Sequence, residues 1–266
     1  MNRITELFQK KKEILSVYFT AGFPGLTDTI PVLNGLLDAG VDMIEIGVPF
    51  SDPLADGPVI QHSSEVALSN GMTLKMLFRQ LEGIRNTKPQ APLLLMGYLN
   101  PVLQYGMEAF CKNAQYCGID GVIIPDLPLQ EYLDEYKTLF EGYGIINVFL
   151  ITPQTSDARI RLIDEHSKGF IYMVSSASTT GGTLPQQTAQ FSYFERIHKM
   201  NLKSPLVIGF GISDHEGYTN ACRYASGAII GSAFIKAIAE TKSLEKDIIR
   251  FVKSIRIKQE LTSSIS

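Results

Sequence analysis

At 266 residues, 45% of them hydrophobic, the chain holds enough apolar material for one large domain or two small ones. Lys and Arg number 24 against 27 Asp and Glu, a net charge of −3 with no long basic run, which argues against a nucleic-acid partner. No apolar run is long enough to cross a membrane, MNRITELFQKKKE lacks the apolar core of a secretory signal, and Cys111, Cys117 and Cys222 have no CxxC spacing, so a cytoplasmic protein with free thiols is expected.

In chain order, a short helix is predicted over residues 2–12, followed by a strand at SVYFTAG (16–22). TDTIPVLNGLLDAG then has helical spacing, opening on a Thr/Asp cap and closing on glycine. The second and third strands are DMIEIGVP (42–49) and LLLMGY (93–98). MEAFCKNAQYCG reads as a helix, GVIIPD (121–126) as a strand and LQEYLDEYKTLFEGYG as the next helix. INVFLIT (146–152), the helical SDARIRLIDEHSKG and FIYMVSS (170–176) follow. PLVIGFG (205–211), the helical SDHEGYTNACRYAS and GAIIGSA (227–233) complete the alternation, before a pair of helices and a frayed tail over 259–266. Each strand is a near-continuous run rather than an alternating one, the mark of burial on both faces. Four of the helical segments close on Gly, as a left-handed C-cap requires.

Eight strand–helix units in about 250 residues are the arithmetic of an α/β fold of the (β/α)8 TIM-barrel type, here one domain over 1–266 with an extra N-terminal helix and a short helix after strand 8. An open doubly wound sheet is the alternative. In a barrel the active residues come from the C-terminal ends of strands and the loops that follow them. That directs attention to EIGVPFSDPLADGP, which places Glu45 inside an otherwise apolar strand and Asp52 and Asp56 in the loop after it. From the residues alone, Glu45 is a catalyst or a buried salt-bridge partner. Asp56 before Gly reads first as a turn residue, and Asp52 as a loop organiser.

GFGIS ends strand 7 and GSAF runs from strand 8 straight into a helix. Glycines admit close backbone approach, and amides at a helix start point toward an anion, so Gly211, Gly231 and Ser232 are candidate phosphate donors. Gly181, in the glycine-rich STTGGTLP after strand 6, is a fourth. Lys236 on the short helix is either a charge contributor or a solvated lysine.

TAGFP, EIGVPFSDPLADGPVIQ, VSSASTTG, GFGIS and GSAFIK together resemble the tryptophan synthase alpha subunit, from about residue 3 to 255. The resemblance implies a TIM barrel that cleaves indole-3-glycerol phosphate to indole and glyceraldehyde 3-phosphate. It implies a beta-subunit partner in an alpha2beta2 tetramer, with pyridoxal phosphate in the beta subunit and none in this chain, and indole passed between them through a tunnel. It implies Glu45 and Asp56 as the catalytic pair, assisted by Tyr172. Many members carry Arg and Gly-Val where this chain has Ser176, Ser178 and Thr179; Thr180 and Gly181 are retained.

The chemistry needs an acid over indole C3, a carboxylate near the ring nitrogen and a base for the glycerol hydroxyl. Burial should raise the pKa of Glu45 into the range where it gives and takes a proton, while Asp56, in a polar loop, is expected to stay ionised. No metal is required. Tyr18, Phe19, Met96, Tyr98, Phe210 and Thr180 are candidate walls of the indole slot, and Asp126 a candidate for positioning the Asp56 loop or contacting the partner. Two competing readings are a sugar-phosphate isomerase, disfavoured by strands 1, 3 and 5 offering no His or Lys, and a non-catalytic regulatory barrel, disfavoured by the intact acids.

Overall fold

The computed structural model describes residues 1–53, 56–88, 90–175, 184–209 and 211–257, with residues 184–189 described by backbone alone. Among them, the apolar runs become eight parallel strands: β1 (Ile14–Thr20), β2 (Met43–Gly47), β3 (Leu93–Met96), β4 (Gly121–Ile123), β5 (Ile146–Ile151), β6 (Ile171–Val174), β7 (Leu206–Gly209) and β8 (Gly227–Ile230). Each pairs with its neighbour in sequence, and β8 returns to pair with β1, so the sheet is a closed barrel rather than an open doubly wound sheet. The strands stop one to three residues short of the predicted C-terminal ends.

Helix α1 (Arg3–Lys10) precedes β1, and α2 (Thr29–Asp38) follows it. After β2 come α3 (Pro58–Ser69), α4 (Leu74–Leu81) and α5 (Ile84–Thr87); after β3, α6 (Leu99–Tyr105) and α7 (Met107–Tyr116). The segment after β4 runs α8 (Leu129–Glu131), a wider π-type turn Tyr132–Tyr136, then α9 (Lys137–Gly142). α10 (Asp157–His166), α11 (Leu184–Lys199) and α12 (His215–Tyr224) follow β5, β6 and β7, and α13 (Ser232–Ala239) and α14 (Leu244–Arg256) follow β8. Three of the predicted glycine caps hold: Gly40, Gly118 and Gly144 have φ of 94°, 70° and 70°. The fourth does not, because α10 ends on Ser167 in extended backbone. Gly169 instead makes room, since a Cβ there would lie 3.0 Å from Ile146 and 3.2 Å from Ile4.

Successive residues on a strand face opposite sides, so the barrel has two cores. The outer one packs Val17, Phe19, Ile44, Ile46 and Leu95 against the helices. The inner one holds Ile14, Met43, Leu94, Ile123, Val148 and Ile229. Helix α1 plugs its floor with Ile4 and with Phe8, whose ring lies 5.4 Å from that of Phe170. The plug is tied down by polar contacts. Asn2 accepts from the Ile4 amide at 2.9 Å and donates to the Asp120 carbonyl at 2.8 Å. The buried Asp120 carboxylate takes Arg3 at 2.8 Å, Arg85 at 2.7 Å and the Leu93 amide at 2.9 Å, which offsets its desolvation. With the floor filled, the opposite end is the place left for a ligand.

Candidate active site at the barrel mouth

Glu45 occupies the centre of β2 and pairs in register with Tyr18 of β1. Both side chains turn inward, as does Ser16 two residues earlier on β1. Glu45 has no exposed surface. Its Oε1 accepts from the Ser16 hydroxyl at 3.0 Å, and its Oε2 has no hydrogen-bond partner among the described residues. No Arg, Lys or His pairs with it among the described residues, which removes the salt-bridge reading. Burial pushes its pKa up to about 8, with the Ser16 hydrogen bond pulling in the opposite direction.

Asp56 lies in the loop that leads into α3, half-buried. Its Oδ2 accepts from the Tyr98 hydroxyl at 3.1 Å, and its carbonyl accepts from Gln61 at 2.8 Å. Burial raises its pKa, and the Tyr98 hydroxyl offsets part of the rise. Tyr98 is held in turn by Phe50, at a ring separation of 5.3 Å. Asp126, exposed after β4, accepts from the Leu99 amide at 2.9 Å and so caps the start of α6, one residue on from Tyr98. Asp52 takes the neighbouring Ser51 hydroxyl, consistent with a loop organiser.

Tyr172 sits within β6, 3% exposed, with its hydroxyl over Gly209 of β7. Tyr18 stands in the same relation to Gly47 of β2, where a Cβ would lie 2.1 Å from its hydroxyl oxygen. Burial and the nearby charges of Glu45, Asp56 and Tyr18 hold the Tyr172 phenol well above its usual pKa. Tyr18 is raised by burial and then by Asp56, with smaller effects from Tyr98 and Glu45. The predicted acids and tyrosines therefore gather in one electrostatic neighbourhood. Tyr18, Phe50, Asp56, Met96, Tyr98 and Pro125 line a cavity there. Phe19 does not belong to it: one residue on from Tyr18, it faces outward, fully buried under the helices.

Gly211 follows β7 with φ of 74°, and Gly231 precedes α13, whose first turn has no side-chain cap. Ser232 and Lys236 are exposed on α13. Gly181, Thr180, Phe210, Ser176, Ser178 and Thr179 lie outside the described residues, as does the tail 259–266. A wider cavity of about 570 Å³ opens at the other end of the barrel, between the segments leading into β7 and β8, and includes none of the clustered groups.

A family model described as tryptophan synthase alpha chain matches residues 4–264. The chain belongs to the tryptophan synthase alpha chain family. A tryptophan synthase alpha chain from Flavobacterium johnsoniae is 61% identical over 243 residues, covering 91% of this chain and 96% of that one. One from Bacteroides thetaiotaomicron is 52% identical over 257 residues, 96% and 100% of the two chains. Among solved structures, a tryptophan synthase subunit alpha from Legionella pneumophila superposes with a TM-score of 0.86 at 36% identity, covering 96% of this chain and 97% of that one. Tryptophan synthase from M. tuberculosis in an aminoacrylate-bound form gives 0.83 at 27% identity, covering 96% and 98%.

Within this alpha-chain site, three features escaped the sequence. Ser16 was one small polar residue in an apolar run. Phe50 carries no chemistry of its own, yet it packs on the tyrosine that holds Asp56. Ser63 of α3 forms a buried hydroxyl pair with Thr20 at 2.6 Å, tying β1 to the helix that follows the Asp56 loop. The period-two alternation along β1 was the available signal for Ser16, because it places that residue on the face of Tyr18.

Proposed function

We propose that Glu45, Asp56 and Tyr172 carry the lyase step of this alpha chain, a retro-aldol cleavage of indole-3-glycerol phosphate to indole and D-glyceraldehyde 3-phosphate. The carrying observation is Glu45 itself, an inward-facing carboxyl with no cation beside it among the described residues and a pKa of about 8, so that it holds its proton at neutral pH. Protonated Glu45 gives that proton to indole C3, turning the aromatic ring into an indoleninium cation that can act as an electron sink. The side-chain carbon next to C3 carries a hydroxyl, and this hydroxyl returns its proton to the Glu45 carboxylate. The C3–carbon bond breaks, its electron pair restores the aromatic ring, and the hydroxyl carbon becomes the aldehyde of glyceraldehyde 3-phosphate. Asp56 accepts the indole N–H and stabilises the cation, helped by the Tyr98 hydroxyl that favours its charged form. Tyr172, fixed as a neutral phenol, is a donor toward the reacting oxygen. Tyr18, Met96 and Tyr98 wall the ring, with Phe210 and Thr180 completing the slot.

The phosphate binds at Gly181, Gly211, Gly231 and Ser232. Gly231 supports this: a Cβ there would meet Tyr18 at an ordinary 3.4 Å, so its neighbours do not demand a glycine. Close approach of an anion to the first amides of α13 accounts for it. The whole chain works as one cytoplasmic domain that pairs with a tryptophan synthase beta subunit in an alpha2beta2 assembly. The beta subunit holds pyridoxal phosphate and receives the indole for condensation with L-serine. The test is indole release from indole-3-glycerol phosphate by the purified chain, with and without a beta subunit. Wild-type chain releases indole, faster with the partner. Glu45→Gln binds substrate and loses nearly all turnover; retained turnover would overturn the assignment.

A further inference from the structure

Ser16 interrupts the apolar strand ILSVYFT and has no exposed surface. A hydroxyl in such a place costs stability unless it is satisfied, and nothing in the packing of the inner core calls for one. Its one hydrogen bond among the described residues goes to Glu45 Oε1 at 3.0 Å. The other oxygen, Oε2, is equally buried and has no partner among the described residues. The two oxygens of this carboxyl are therefore unlike: one is held and the other is bare.

We propose that Ser16 is a positioning residue for the lyase step: by donating to Oε1 it fixes the rotation of the Glu45 carboxyl and leaves Oε2 as the oxygen that gives and recovers the substrate proton. The inference rests on the reading of Glu45 as the proton-transfer group. It is consistent in both protonation states. With the proton on Oε2, Oε1 is a carbonyl oxygen and accepts from Ser16. After transfer, Oε1 is part of a carboxylate and accepts more strongly. Ser16 thus favours the charged form against the burial that opposes it. The titratable groups facing Glu45 are Tyr18 from β1, Tyr172 from β6 and Asp56 from the loop after β2, with Tyr98 bonded to Asp56. None of these is a cation, so among the described residues no charge partner duplicates what the hydroxyl does.

The experiment measures kcat and KM for indole formation from about pH 6 to 10 in the full chain, for wild type, Ser16→Ala, Ser16→Thr and Glu45→Gln. Ser16→Ala removes a single oxygen. It is expected to lower kcat about tenfold with KM within about twofold, and to move the high-pH limb upward by roughly one unit. Ser16→Thr restores the hydroxyl and returns the limb to its wild-type position; if Thr does not fold at this site, Ser16→Cys, a weaker donor of similar size, gives an intermediate shift. A carbon-13 carboxyl titration, with the Glu45 signal assigned by its absence in Glu45→Gln, reads the same upward shift without relying on turnover. Ser16→Ala with a wild-type profile and titration overturns the positioning role while an inactive Glu45→Gln leaves the catalytic reading standing. An active Glu45→Gln overturns both.

Discussion

The hydroxyl of Tyr172 rests where a side chain at Gly209 would begin: a Cβ on Gly209 would lie 2.2 Å from that oxygen and 2.5 Å from the ring carbon that bears it. The contact crosses from β6 to β7 inside the barrel, and no side chain can occupy both places. Gly209→Ala is thus expected to push the phenol out of position. Indole turnover should fall at least about tenfold, and overpacking should cost about 1–3 kcal/mol in urea unfolding. Unchanged turnover would show that Tyr172 takes no part in the step.

Glu45 also links stability to pH. Its native pKa, about 8, lies above the 4.5 of an exposed glutamate, so between those values the unfolded chain releases a proton that the native chain keeps. The contribution of this group to stability is fully present below pH 4.5 and is lost as the pH rises toward 8. In Glu45→Gln that loss is absent. The difference in unfolding free energy between variant and wild type should therefore move in favour of the variant from about pH 5 to pH 8, by an amount on the order of a few kcal/mol. Urea titrations at several pH values read it, and a difference independent of pH would contradict a native carboxyl held neutral.

Tyr98 acts on the other acid. Its hydroxyl favours ionised Asp56 against the burial that disfavours it. Tyr98→Phe keeps the ring on Phe50 and removes the donor, so the pKa of Asp56 should rise further. An Asp56 that works as a carboxylate sets the low-pH limb of the rate profile, and that limb should move upward by roughly half a unit to one unit. A limb that stays in place would separate Asp56 from the acidic side of the profile.

The strands were legible because a run buried on both faces is apolar throughout, and Glu45 was legible because it breaks such a run. The same two-sided burial hid orientation. Tyr18 and Phe19 look alike in sequence, and only the closed sheet decides that the first faces the site and the second the helices. Ser16 was hidden for a related reason: a lone serine in a strand gives no sign of which neighbour it meets across the ladder. Asp126 was legible at the mouth but its contact was not: its carboxylate takes an amide at the start of α6, beside the Tyr98 that holds Asp56. Gly169 mimics a helix cap in sequence, whereas its neighbours come from β5 and α1.

The N-terminal plug has a consequence for the order in which the molecule can be completed. Asn2 reaches the carbonyls of Asp120 and Gly144 across 118 and 142 positions of chain, and Phe8 meets Phe170. Asn2 and Phe8 therefore cannot complete these contacts until residues 144 and 170 have been made. Seating them closes long loops, although the pairing of β1 with β8 closes a longer one. The plug that fills the floor of the barrel thus waits on partners far along the chain.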